Sequence, residues 1–404
     1  MRAVGSLDPV GAYLDHAATA PLRPEALAAV VAVLEAPGGN PTGSHALARA
    51  SRRIVDDARD EVAAHLGCRP GELVFTGGGT EADDLAVHGV VAGGAPGGTP
   101  VCSAIEHHAV LHPVLALGGR TAPVGADGIV DLDGLAAVLD SLGGRVPLVS
   151  VHLVNNEVGT VQPLDDVAGV VARHAPGAVL HTDAVQAVPW LAPSAWAAAE
   201  LVSVTAHKLG GPQGTGALVV RAGTPLRARL LGGGQERDRR SGTHNVAGIA
   251  GFAAALAATT AERAATAARV AALRDRLAAG LLASVPGCRT TVDLASTVPG
   301  SCHLLVEGVE GEALLVLLDR AGICASAGSS CSSGALEPSH VLAAMGVDRA
   351  AARGALRLTL GPTTTDADVD LALAVVPGAV SQLRTLDPLV RRPAVAPPRA
   401  GGPS

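Results

Sequence analysis

Residues 203–212 read Ser203-Val204-Thr205-Ala206-His207-Lys208-Leu209-Gly210-Gly211-Pro212, and the rest of the chain is best read outward from them. The apolar run Leu201 to Val204 predicts a short buried strand, and the Gly/Pro close predicts a turn. Lys208 is the one lysine among 30 basic residues; the other 29 are arginine. A general preference for arginine accounts for the 29 but not for the exception. A primary amine can lose its proton and condense with a carbonyl, whereas a guanidinium stays protonated in proteins. Just past a strand, beside a hydroxyl and an imidazole able to bind phosphate, Lys208 points to Schiff-base chemistry.

Outward from this stretch, short β-rich runs alternate with helical patterns. Strands are expected at Leu73 to Thr76, Pro100 to Ala104, Pro147 to Leu153, Ala178 to His181 and Leu201 to Val204, with Thr215 to Val220 as an antiparallel partner. Helices are expected at Glu25 to Ala36, Ser44 to Leu66, from the Gly77 turn to about Val91, at Asp133 to Leu142 and at Leu164 to His174. This alternation predicts an α/β fold with a mostly parallel sheet covered by helices. From about His244 to Ser284 an Ala-rich pattern predicts one long helix, continuous or broken, leading to a smaller α+β region. Its signals are Leu304 to Val306, Glu312 to Arg320, Ser339 to Met345, Leu356 to Leu360 and Asp366 to Leu386.

Composition narrows the function classes. The 404 residues are 48% hydrophobic and 17% charged with a formal net charge of −7, too apolar for general disorder. No apolar run reaches the ~18 uninterrupted residues of a membrane span, and the first residues lack a secretory apolar stretch. A mildly acidic chain without a basic block speaks against nucleic acid as a direct partner. The expectation is a soluble cytoplasmic protein. Five aromatic residues (Tyr13, Phe75, Trp190, Trp196 and Phe252) leave Ala, Val, Leu and Gly to fill the core. The six cysteines show neither CxxC nor zinc-like spacing, so they read as reduced thiols, with no metal site.

Two further motifs carry chemistry. Gly77-Gly78-Gly79-Thr80-Glu81 follows a strand and opens a helix, where free amides and the helix dipole suit a phosphate; a tight strand-to-helix turn is the alternative. His181-Thr182-Asp183-Ala184-Val185-Gln186 sits at the carboxyl end of a strand, the edge where α/β sheets bind ligands. Asp183 there could pair with a cationic ring nitrogen or could cap a helix.

With these motifs in place, the sequence resembles the pyridoxal-phosphate-dependent cysteine desulfurases of the class V aminotransferase family, the type serving general iron–sulfur cluster assembly. The likeness runs from Tyr13-Leu14-Asp15-His16 to about Leu389. In order come Glu106-His107-His108, Asn155-Asn156-Glu157-Val158-Gly159, Ala206-His207-Lys208, Arg240-Ser241-Gly242-Thr243, Ser329-Ser330-Cys331-Ser332 and Leu356-Arg357-Leu358-Thr359. The sequence departs from the commonest pattern at Asp84, Gln235 and Pro362.

The resemblance implies the aspartate-aminotransferase-like fold (PLP fold type I) and a homodimer. It implies a large cofactor domain over 13–258 and a small domain from 1–12 and 259–391, while the Pro/Ala/Gly-rich composition of 392–404 reads as a disordered tail. It implies that Lys208 forms the Schiff base with pyridoxal 5′-phosphate, that Asp183 partners the pyridine nitrogen and Gln186 the ring hydroxyl, and that His107 stacks on the ring. Gly79, Thr80, Thr205 and His207 match phosphate ligands, with Thr243 reaching over from the other subunit. Asn155 and Arg357 match groups holding the substrate carboxylate. Cys331 matches the thiol that removes sulfur from L-cysteine and hands it to an acceptor protein. Around it, 325–334 holds no bulky apolar residue, as expected of a mobile loop, and Cys324 lies at its start. Another pyridoxal-phosphate reaction, a catalytically silent sulfur scaffold and a nucleotide-binding module are the rival readings.

Overall fold

The computed structural model describes residues 11–94, 97–327 and 339–386. Its strands are β1 (Ala12–Tyr13), β2 (Leu73–Thr76), β3 (Val101–Ser103), β4 (Arg120–Ala122), β5 (Leu148–Ser150), β6 (Val179–Asp183), β7 (Leu201–Thr205), β8 (Gly216–Val220), β9 (Cys288–Thr290), β10 (Ser301–Val306), β11 (Ile323–Cys324) and β12 (Ala355–Thr359). Seven form the main sheet in the order β2-β8-β7-β6-β5-β3-β4. The sheet is parallel apart from β8, which runs antiparallel to both neighbours. The expected partner strand is therefore β8, paired with β7 and also with β2.

Helices cover both faces, so successive residues of each strand enter different cores. Val74, Leu148, Val179, Leu201 and Leu218 pack against the helices Gly79–Gly93 and His108–Ala116. Their neighbours Phe75, Val149, Leu180, Val202 and Ala217 pack on the opposite face with Val55, Val62, Leu135, Val167 and Phe252. Short aliphatic strands suffice because both faces are dry.

The helix Val246–Ser284 is continuous over 39 residues. Its first half gives Ile249, Phe252 and Leu256 to the core of the main sheet. Its second half gives Val270, Leu273, Leu277 and Leu281 to a second core, built on the three-stranded antiparallel sheet β12-β10-β9. One helix is thus the spine of both. The helix Asp366–Leu386 is long and apolar enough to cross a membrane by length and composition, yet it seats Val369, Ala372, Val376 and Val380 in this second core.

The strand order changes direction at β3. After β3 the chain moves outward to β4 and then returns to lay β5 on the opposite side. The loops leaving β3 and β5 diverge there and open a crevice above the carboxyl ends of the parallel strands, the usual ligand position in such sheets.

Candidate active site

That crevice is a cavity of about 330 Å³. Each element delivers its part from a strand end. The turn after β2 brings Gly79 and Thr80, the loop after β3 brings His107, and the loop after β5 brings His152 and Asn156. Asp183 ends β6 and is followed by Gln186. Thr205 ends β7 and is followed by His207 and Lys208, while Arg357 comes from β12 in the smaller sheet.

The phosphate-type cradle is built by backbone. Gly78 has φ +149° and precedes the helix Gly79–Gly93 without a side-chain cap. Its first amides therefore stay available to an anion, and the helix dipole favours one. A Cβ on Gly79 would stand 3.0 Å from Val185 Cγ2, so any larger residue would crowd that side chain at the turn.

Lys208 Nζ donates to the carbonyl oxygens of Ala17 at 2.5 Å and Ala18 at 2.7 Å. Gln186 Nε2 donates to the same Ala17 oxygen at 2.9 Å. The segment after β1 thus closes one wall. Burial pushes the Asp183 carboxyl up to about 6 and Glu106 adds to the push, against the pull of the Val185 N–H, His152 and Lys208. That N–H donates to Asp183 Oδ1 at 2.8 Å.

Two imidazoles stay neutral. Burial, then the Lys208 charge, lowers His107 to about 4. Its Nδ1 accepts from Ala109 N at 3.1 Å, so the neutral ring carries its proton on Nε2. His207 is lowered to about 4 by the same two causes, and its Nδ1 lies 3.2 Å from Thr19 Oγ1.

Arg357 is almost fully buried. Its Nη2 pairs with Asp15 Oδ1 at 2.9 Å and its Nη1 donates to Asn156 O at 2.8 Å, which fixes the plane of the guanidinium at the cavity wall.

Of the sequence-derived site residues, Gly79, Thr80, His107, Asp183, Gln186, Thr205, His207, Lys208 and Arg357 line this one cavity. Asn155 instead lines the adjoining cavity, which also holds Gln186 and Lys208. Its Oδ1 accepts from Glu157 N at 2.8 Å and Val158 N at 2.9 Å, while its Nδ2 donates to Ile105 O at 3.1 Å. It ties the turn together, and the cavity is faced by Asn156. Thr243 lies outside the cavity, on an exposed loop. Cys331 lies outside the described residues. Sequence reasoning missed Asp83, His152 and Asp15. His152 had a signal, since it stands just past β5 where the logic of strand ends applies.

The class-V aminotransferase family model matches residues 12–372. An IscS-like cysteine desulfurase of Mycobacterium tuberculosis is 44% identical over 386 residues, covering 92% of this chain and 97% of that protein. A cysteine desulfurase of Cereibacter sphaeroides is 42% identical over 385 residues, covering 93% and 97%. A solved NifS-like protein superposes with a TM-score of 0.85 at 32% identity, covering 92% of this chain and 99% of that one. With nearly its whole length matched and its strand ends gathered around the single lysine, this chain belongs to the cysteine desulfurases of the class-V aminotransferase family.

Proposed function

We propose that the chain takes sulfur from L-cysteine, releases L-alanine, and leaves the sulfur on Cys331 as a persulfide. An acceptor protein, a cluster scaffold or a thiolation enzyme, would collect it for iron–sulfur clusters or for other thio-cofactor or tRNA sulfur supply. The observation that carries this reading is the meeting of the only lysine with Asp183, Gln186, His107 and an uncapped helix N-terminus in one cavity.

The residues fit pyridoxal 5′-phosphate. The buried Asp183 is penalised as an anion, and a cationic ring nitrogen beside it would remove that penalty. Gln186 would meet the ring hydroxyl and His107 the ring face. The amides of Gly79 and Thr80, with Thr205, His207 and Thr243 of a second copy of the chain, would hold the phosphate. Lys208 would hold the group covalently. When bound, it supplies an electron sink for the charge left as the substrate α-proton departs.

The chain's own residues supply the rest. Arg357, its plane set by Asp15 and the Asn156 carbonyl, presents a fork to the substrate carboxylate. Lys208 Nζ accepts the α-proton and can return it. His107, neutral and protonated on Nε2, can pass a proton without repelling Lys208. The Cys331 thiolate attacks the substrate sulfur; a sulfur–sulfur bond forms as the carbon–sulfur bond breaks. The bonding pair stays with carbon, which takes a proton and ends as the methyl group of alanine. Cys324 is a weak nucleophile at neutral pH, since burial together with Asp319 and Asp15 pushes it up and suppresses its thiolate.

The two hydrophobic cores support reading 13–258 as the cofactor-bearing unit and 1–12 with 259–391 as the smaller one. Cys331→Ser tests the central claim. The variant should keep the cofactor and form neither persulfide nor alanine. Alanine at the wild-type rate would move the nucleophile elsewhere, with Cys324 next, and a keto acid product would make the protein an aminotransferase.

A further inference from the structure

Below the cavity floor a row of polar side chains crosses the main sheet. Ser150 on β5, His181 on β6 and Ser203 on β7 are completely buried. Ser150 and His181 are register partners, and Ser203 is the register partner of Asp183. Glu106 closes one end of the row and Asp83, from the helix Gly79–Gly93, closes the other. Both are buried as well, and Asp83 lines the cavity beside Asp183.

The hydrogen bonds give the row a direction. Glu106 Oε1 accepts from the His152 peptide N–H at 2.7 Å and from the Ser150 hydroxyl at 3.3 Å. With the Ser150 proton given to Glu106, its oxygen accepts from His181 Nδ1, 2.8 Å away. A neutral imidazole has one N–H, and burial lowers His181 to about 4. Its Nε2 is then a lone pair that accepts from the Ser203 hydroxyl at 2.9 Å. That spends the proton of Ser203, which also lies within reach of the Asp83 carboxyl and would favour its anion if it donated there instead. Asp83 Oδ1 faces the His181 lone pair at 3.6 Å and has no hydrogen-bond partner among the described residues.

We propose that Asp83 is a neutral carboxylic acid that donates into this row, so that Asp183 alone of the two carboxyls on the cavity floor carries charge. An ionised Asp83 would present an anion to a lone pair with no donor left for it, whereas a protonated one donates to the oxygen of Ser203. Burial, the Asp183 and Glu106 carboxyls and, on its own helix, Asp84 push Asp83 well above the usual carboxylate range, against the pull of the Ser203 hydroxyl. Asp83 is a positioning residue. By staying neutral it leaves one defined negative charge at the end of β6, where the proposed function puts the ring nitrogen. Only that last consequence rests on the functional reading.

Infrared spectroscopy of the cofactor-free chain in mildly alkaline buffer tests the assignment. The carbonyl stretch of a protonated carboxyl should be present in the wild type and lost in Asp83→Asn, which keeps the shape and one donor. A wild type without that band, or a band that survives Asp83→Asn and vanishes in Glu106→Gln, would overturn the proposal. The nitrogen shifts of His181 in the wild-type chain provide a check that needs no variant. The proton should sit on Nδ1, and a proton on Nε2 would reverse the row and refute the assignment. If the wild type binds no pyridoxal phosphate while the infrared result holds, the functional reading falls and the proton assignment stands.

Discussion

Glu236→Gln should destabilise the chain by about 3 kcal/mol at neutral pH, and the loss should fade in acid. The Glu236 carboxylate is buried and makes two bonds to Arg59, Oε1 to Nη2 at 2.5 Å and Oε2 to Nη1 at 2.9 Å. The Phe75 N–H donates to Oε2 at 3.0 Å, and His244 Nε2 lies 2.8 Å from Oε1. Burial alone would raise the carboxyl, but the bonds from His244 and Arg59, the Arg59 charge and the Phe75 N–H outweigh it and bring it to about 2 from 4.5. At about 1.4 kcal/mol per pKa unit this drop corresponds to about 3 kcal/mol, at the lower edge of the ~3–5 kcal/mol for breaking one side of a buried pair. Because the folded value is depressed, the contribution is complete above about 4.5 and is lost as pH falls through about 2. Urea unfolding of wild type and variant across that range measures it. The same pair holds a strained turn, since Glu236, Arg237 and Asp238 have φ of 49°, 56° and 60°, each costing about 1–2 kcal/mol without glycine. Releasing that turn should move the loop carrying Thr243. A loss under about 1 kcal/mol, or a difference that does not change between neutral and acid pH, would refute the reasoning.

Arg357→Ala should raise KM for cysteine, with about 1.5–3 kcal/mol lost from a charge-assisted pair, or about 10- to 150-fold. Unchanged steady-state constants would remove the residue from the carboxylate site. Asn155→Ala should lower thermal stability, because it strands two peptide N–H groups at about 1–3 kcal/mol each. Asn156→Ala should instead keep stability and weaken ligand binding, and the reverse pattern in paired melting and binding measurements would make Asn155 rather than Asn156 the ligand contact. Borohydride reduction of the pyridoxal-phosphate-loaded chain should place the pyridoxyl mass on Lys208 at close to one equivalent. The α-amino group, with a reference pKa of about 7.7–8.0, is the other primary amine, and label found chiefly on Met1 would overturn the assignment.

The chemistry was legible wherever one residue type could not be replaced by another. Lys208 stood out because arginine had taken every other basic position. Asp183 and Thr205 stood out because an aliphatic strand ended on them, and a parallel sheet gathers its strand ends at one edge. Elements were legible where a pattern was long enough. Leu73 to Thr76, Leu164 to His174 and Asp366 to Leu386 fall where expected. The three-residue strand β4 is too short to show alternation. The helix His108–Ala116 carries an internal proline, Pro113, which argues locally against a helix and is tolerated near its end.

What stayed hidden depends on direction and register, which composition does not encode. Asn155 and Asn156 are chemically identical neighbours. The turn at Glu157 and Val158, whose N–H groups capture the first asparagine, sets the first at the border of the adjoining cavity and the second in the crevice. Ser150, His181 and Ser203 are far apart in sequence and meet only because three parallel strands align them. Each alone reads as a small polar residue in a buried strand. Aligned, they form a hydrogen-bonded row whose polarity is set at its Glu106 end and felt at Asp83, on the floor of the cavity. A parallel sheet therefore does two jobs for this site. Its strand ends supply the groups that touch a ligand, and its register wires together, one layer below, the buried groups that decide which of them carries charge.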